Sequence, residues 1–195
     1  MRTILTLALA AALLAGCQSQ SAGDAADMKT MQKTVGRERL LQTIGQITPP
    51  SMDKSVMTQS DEQIIGWIKQ IDDWTHQVLS SPVTGEMDKY AMEEMRTTLM
   101  QVYNREMADR MLAYFYRRDD RLGTYQANST KAMLGLRSEW GKYELKKSQP
   151  DASKYRVSLS GANVQQDLAK SVMQHESEYL IEGDRLRITE FKTVS

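Results

Sequence analysis

The chain has 195 residues, with 25 Lys plus Arg against 25 Asp plus Glu and a formal net charge of zero, a balance that gives no electrostatic footprint for a nucleic-acid partner. A single Cys excludes an intramolecular disulfide, so the fold must rest on its core. Only 2 Phe but 13 Met, 8 Tyr and 3 Trp give methionine much of the volume that branched aliphatics usually fill, and its soft side chain suits an irregular interior or an adaptable surface.

Arg2 precedes the run Ile4 to Ala15, which is apolar except for Thr6 and closes on Leu14-Ala15-Gly16-Cys17. Such a run lies within the ~7–15 residues of a signal-peptide core and falls short of the roughly 20 that a membrane-crossing helix needs. The stretch MRTILTLALAAALLAGC resembles the leader of a bacterial lipoprotein, whose lipobox is a Leu, a small residue, a Gly or Ala, and the Cys to be modified. The resemblance implies that Cys17 is the lipidation site, thioether-linked to diacylglycerol with palmitate among its acyl chains, and becomes the first residue of the mature protein. Each buried CH2 of such chains contributes about 0.8 kcal/mol, so two or more chains hold a protein firmly on a membrane. An Asp after the Cys tends to retain such proteins in the inner membrane. Here that position is Gln18, which implies the outer membrane, with the domain facing the periplasm. The resemblance ends at Cys17.

Gln18 to Asp27 contains only small and polar side chains and reads as a flexible tether, about 16–19 Å long as a random coil. Residues 28–195 read as one globular domain. Met28 to Ile47 has helical spacing, with Lys29, Lys33, Arg37 and Arg39 as a basic face and Pro49-Pro50 as its stop. Ser51 to Gln59 reads as a polar connector. Ser60-Asp61-Glu62-Gln63 is a capping box, and Ile64, Ile65, Trp67, Ile68, Ile71, Trp74, Val78 and Leu79 continue one apolar stripe to Ser80. Trp67 and Trp74, seven apart among isoleucines, are expected in the core rather than on a ligand platform.

From Glu86 to Arg118 the residues Met87, Ala91, Met95, Leu99, Val102 or Tyr103, Met107, Met111 and Phe115 keep helical register. A helix of that length would be about 50 Å long, so a break is expected, although no Pro or Gly marks it. The segment ends in Tyr114-Phe115-Tyr116-Arg117-Arg118, aromatic then basic. Tyr114, Tyr116, Arg117 and Arg118 are therefore candidate contacts for a partner or for anionic headgroups, because ring faces and guanidinium groups suit such ligands. Asp119-Asp120 follows and can neutralise both arginines. Gly123 reads as a helix stop and Asn128-Ser129 as a fresh cap for a short helix through Trp140.

After Lys142 the period changes to two. Tyr143, Leu145 and Lys147, then Tyr155, Val157 and Leu159, read as a hairpin around Gln149 to Ala152 with a four- or five-residue turn. Val164 to Met173 returns to helical spacing. A second hairpin runs from Tyr179 to Phe191 over a tight Gly183-Asp184 turn, with Leu186 and Ile188 on one face and Arg187, Thr189 and Phe191 on the other. The predicted class is α+β: residues 28–141 mainly helical, and residues 142–195 a small antiparallel sheet of two hairpins with one helix.

His76 and His175 are far apart, no Cys remains to join them, and neither a nucleophile elbow nor a glycine-rich phosphate loop is present. No cofactor and no metal are expected. The doublets Asp72-Asp73, Glu93-Glu94 and Asp119-Asp120 suggest a hydrolase only if two carboxylates converge, and neighbours on a helix diverge. The expected function is that of a membrane-anchored periplasmic lipoprotein, non-catalytic, which binds a protein or cell-wall partner in envelope assembly or secretion. The alternative is a tethered peptidoglycan hydrolase that uses helix-borne carboxylates.

Overall fold

The computed structural model describes residues 37–82, 87–127, 140–163 and 172–194, all within the unit Gly36–Ser195. The leader, the tether, Cys17, the predicted cap at Asn128-Ser129, nearly all of the short helix after it, and residues 164–171 of the predicted cross-sheet helix lie outside the described residues. The class is α+β, with helices first and an antiparallel sheet after them.

Residues 37–45 are helical (α1), and Leu40 and Ile44, four apart, enter the core. The expected polar connector carries a 3-10 helix, Lys54–Thr58, capped by Asp53 and burying Val56 and Met57. Helix α2 spans Asp61–Ser80, and its capping box forms as read: Ser60 Oγ accepts from the Gln63 amide while the Gln63 side chain accepts from the Ser60 amide. Its stripe is buried, with Ile65 half-buried at the border.

The long helical segment breaks in two. Helix α3, Lys89–Leu99, is capped by Asp88, and helix α4, Arg105–Phe115, by Asn104, whose side chain accepts from the Met107 amide at 2.8 Å. Between them Val102 and Tyr103 are both buried in a non-helical stretch. The chain there runs straight enough to hydrogen-bond strand Arg185–Val194 (β6), with Ile188 N donating to Val102 O and Asn104 N donating to Ile188 O.

Strands β1, Tyr116–Asp119, and β2, Thr124–Ala127, form a two-stranded ribbon directly after α4. Arg117 and Arg118 are thus on a strand and not at a helix end. Gly123 has φ 63° and closes the ribbon's turn, the left-handed conformation that favours glycine; it does not stop a helix. The main sheet has the order β3-β4-β5-β6, where β3 is Trp140–Asp151, β4 Lys154–Asn163 and β5 Val172–Glu182. Trp140, Val172 and Met173 are therefore strand residues. The first hairpin turns more tightly than expected: Asp151 pairs with Lys154 after a register shift, and Asp151 Oδ1 accepts from the Ser153 amide at 2.7 Å.

One face of this sheet carries the core and the other is polar, as expected of an antiparallel sheet with one face solvated. Val157, Leu159, His175, Ser177, Tyr179, Leu186 and Ile188 are buried. Phe191 joins them rather than lying with Arg187. The cause is a bulge: Glu178 pairs with Glu190 but Tyr179 pairs with Ile188, so Thr189 is the extra residue and the alternation skips a step. Arg110 of α4 secures the bulge, donating to Thr189 O at 2.9 Å and Glu190 Oε2 at 3.0 Å. Helices and sheet share one core through aromatic contacts: Trp67 lies 5.2 Å from Tyr179, Trp74 stacks 6.5 Å from Tyr103, and Tyr103 meets Phe191 edge-on at 5.8 Å.

Candidate functional site

The aromatic and basic run Tyr114 to Arg118 straddles the junction of α4 and β1, and the change of backbone period decides where each side chain goes. Tyr116 is the first strand residue and turns inward. It is buried, its hydroxyl donates to Leu79 O at the end of α2, and burial pushes its pKa up to about 12. It is a core residue and not a contact for a partner or headgroup, which corrects the expectation. Tyr114, still on the helix, is 46% exposed, with its ring edge-on to Phe115 at 4.8 Å. Arg117 and Arg118 are exposed on the ribbon. Arg118 pairs with Asp120 at 3.4 Å. Asp119 does not pair with either arginine; its Oδ1 accepts the amides of Arg121 and Leu122 at 3.0 and 3.1 Å and shapes the turn.

That turn lifts Leu122 to the tip of the ribbon, 54% exposed beside Arg121. The ribbon is tied down near its turn, where Tyr125 N donates to Met87 O just ahead of α3. Three residues on from Met87 stands Tyr90, in the first turn of α3 and 52% exposed. Cations attend its ring, Arg37 Cζ at 5.4 Å and Lys89 Nζ at 4.9 Å from the centroid. Arg37 also pairs with Glu94 at 3.2 Å. Of the basic face expected on the first helix, Arg37 thus sits on α3, while Lys29 and Lys33 lie outside the described residues. Tyr90 and Leu122 escaped the sequence reading because neither falls in the apolar register of its segment, which runs through Met87, Ala91 and Met95.

The carboxylate doublets part company. Asp72 is buried, its Oδ2 3.9 Å from His76 Nε2, while Asp73 is exposed. Glu93 pairs with Arg96, which also holds Asp109, and Glu94 pairs with Arg37. A shallow cleft of about 420 Å³ lies between the 3-10 segment and the start of α2, lined by Ser51, Asp53, Gln59, Gln63, Trp67 and Gln70 among others. Asp53 is its one carboxylate, held below its ordinary pKa by the Ser55 hydroxyl and amide. Trp67 presents little of its ring there, being buried with Nε1 donating to Ser51 O at 2.7 Å. Among the described residues no three His, Cys, Asp or Glu side chains are placed to hold a metal ion, and no helix is long and apolar enough to cross a membrane.

Comparison with protein-family models, with curated proteins and with solved structures finds no match to this chain.

Proposed function

We propose that the protein is an exported lipoprotein, held on the periplasmic side of the outer membrane by acyl chains on Cys17, whose domain binds a protein or cell-wall partner. The observation that carries this reading is the leader itself: a short apolar run behind Arg2 that closes on Leu14-Ala15-Gly16-Cys17, too short to span a bilayer and of the right length to direct export. The arrangement of carboxylates favours binding over hydrolysis. A glycoside hydrolase needs an acid and a second carboxylate about 5–10 Å apart across its substrate, and the described cleft offers Asp53 alone.

The test is mass spectrometry of the protein recovered from cell membranes, together with fractionation of Cys17→Ser. The native chain should begin at an acylated Cys17 and sediment with membranes. The variant should lose the acyl mass, and chemical crosslinking in intact envelopes should lose the partner bands that the native chain gives. A chain recovered with Met1 intact and a bare thiol at Cys17 overturns the reading.

A further inference from the structure

The cleft between the 3-10 segment and α2 has two walls that the fold holds in place. One is the stretch from Ser51 to Gln59, pinned to the β5–β6 hairpin: Leu186 N donates to Met52 O at 2.7 Å, and Lys54 N to Asp184 O at 2.9 Å. The other is α2, on which Gln63, Gly66, Trp67 and Gln70 follow the i, i+3, i+4, i+7 spacing of one helical face. Two ties join the walls, the capping box at Ser60 and the bond from Trp67 Nε1 to Ser51 O. The space of about 420 Å³ between them is thus shaped in advance, and it falls within the ~300–1,000 Å³ of small-molecule sites.

A glycine keeps this space open. Gly66 lies in the second turn of α2, where glycine is the least favourable residue after proline. Packing does not call for it, because a Cβ there would meet nothing within 4 Å among the described residues. What the missing side chain leaves is room in the cleft that Gly66 lines.

Small-molecule sites are mostly apolar, and this one is not: three glutamines, two serines and Asp53 make up most of its lining. The side chains of Gln59 and Gln70 are exposed and have no hydrogen-bond partner among the described residues. Gln63, whose Oε1 accepts the Ser60 amide, keeps its NH2 group to donate. Among the described residues no lysine or arginine lines the cleft, and its one charge is the carboxylate of Asp53. Phosphate, sulfate and carboxylate ligands find no counter-charge there, and apolar ligands find only Val56 and an indole edge. A peptide anchors through side-chain pockets that this lining does not form. A neutral sugar bearing acetamido groups does fit. Its trans amide points C=O and N–H to opposite sides, so it needs a donor and an acceptor on facing walls, which Gln59 on one side and Gln63 and Gln70 on the other supply. Its hydroxyls, donors and acceptors at once, match the serines and Asp53.

We propose that this cleft binds a neutral glycan rich in N-acetyl groups, the chemistry of the sugar strand of a cell wall and not of its anionic peptides. The proposal rests on the cell-wall half of the reading above and narrows it to one polymer.

The experiment titrates N-acetylchitotetraose into the full 15N-labelled chain, purified from membranes in detergent, and follows the side-chain amides of Gln59, Gln63 and Gln70 and the indole of Trp67 by NMR. These groups should shift saturably. Maltotetraose, which has the hydroxyls without the acetamides, should bind about fivefold more weakly, as the loss of a hydrogen bond requires. Gly66→Leu should weaken binding about tenfold or more by filling the cleft, while its urea midpoint equals or exceeds that of the native chain because the helix gains. The double variant Gln59→Ala, Gln70→Ala breaks no bond inside the domain and should weaken binding about tenfold; it decides the matter if Gly66→Leu lowers the midpoint. No shift at these groups, or native affinity in the double variant, overturns the site and leaves a lipid-anchored protein with a protein partner standing. Equal affinity for maltotetraose overturns the assignment to acetamides. Saturable binding by a chain whose Cys17 is found bare upholds the cleft and overturns the anchor alone.

Discussion

His175 stands on the inward face of β5 between Leu159 of β4 and Thr193 of β6. Its ring meets Phe191 edge-on at 4.5 Å, and Nδ1 shares a 3.0 Å hydrogen bond with Thr193 Oγ1. Nε2 has no partner among the described residues, and burial lowers the pKa to about 4. The unfolded chain, with an ordinary histidine pKa of about 6.5, takes up the proton first. The native state is therefore fully stable above that value and loses stability as the pH falls from about 6.5 to about 4, by about 3 kcal/mol over the whole window. Glu178 acts in the same direction at lower pH, because Arg156, then Lys154, holds its carboxyl below the ordinary value of 4.5. The histidine is therefore isolated between pH 6.5 and 5. Urea midpoints of the native chain should fall over that interval, and those of His175→Gln should fall much less. An imidazole C–H resonance of His175 that titrates at the ordinary histidine pKa would contradict this.

At the level of elements, the break between α3 and α4 depends on Asn104, which serves both of its neighbours. Its side chain caps α4 through the Met107 amide at 2.8 Å, and its own amide donates to Ile188 O of β6 at 2.8 Å. Asn104→Ala leaves the backbone bond and removes the cap, so it should cost about 1 kcal/mol, visible as a lower urea midpoint with an unchanged slope; Asn104→Asp should retain the stability. No loss in the Ala variant would mean that β6 alone sets the break. This cap also shows what was legible in the sequence. The box at Ser60 could be read because its partners are three residues apart and precede an apolar stripe. Asn104 could not, because Leu99, Met107 and Met111 keep helical register across the break and hide it; the one sign was that Val102 and Tyr103 fitted equally well. For the same reason neither the ribbon nor the inward turn of Tyr116 is legible in the sequence: its direction depends on a change of period at Phe115 that only packing against Leu79 decides. The turn at Gly183, by contrast, is local chemistry, with φ 66° at the glycine, and is legible in the sequence. Tyr90, Tyr114 and Leu122, the exposed apolar residues of α3, α4 and the ribbon, lie in three different elements, and no spacing along the chain relates them.

Over the whole molecule, the helical part and the sheet do not meet as two separately finished pieces. The free edge of β6, which would otherwise offer unpaired backbone groups to another chain, is covered by irregular segments of the helical part. Leu186 N donates to Met52 O, Lys54 N to Asp184 O, and Ile188 pairs with the stretch between α3 and α4. Tyr103 lies at the centre of this join. Its hydroxyl donates to Thr75 Oγ1 at 2.7 Å, and Thr75 in turn donates to Ile71 O, while its ring contacts Trp74 on one side and Phe191 on the other. Removing the sheet would strand the covering segments' hydrogen bonds and bare the tryptophan stripe of α2. The two parts should therefore unfold together, as small domains with one core do. In urea the loss of helical circular dichroism should coincide with the change in tryptophan fluorescence, since Trp67 and Trp74 report the join. Ile188→Ala, which empties a fully buried site on β6, should cost about 2–5 kcal/mol and move both transitions by the same amount. If the fluorescence change ran ahead while the helical signal persisted, the helices would be stable without the sheet, and the backbone bonds along β6 would be a contact between independent units rather than the bond that makes them one.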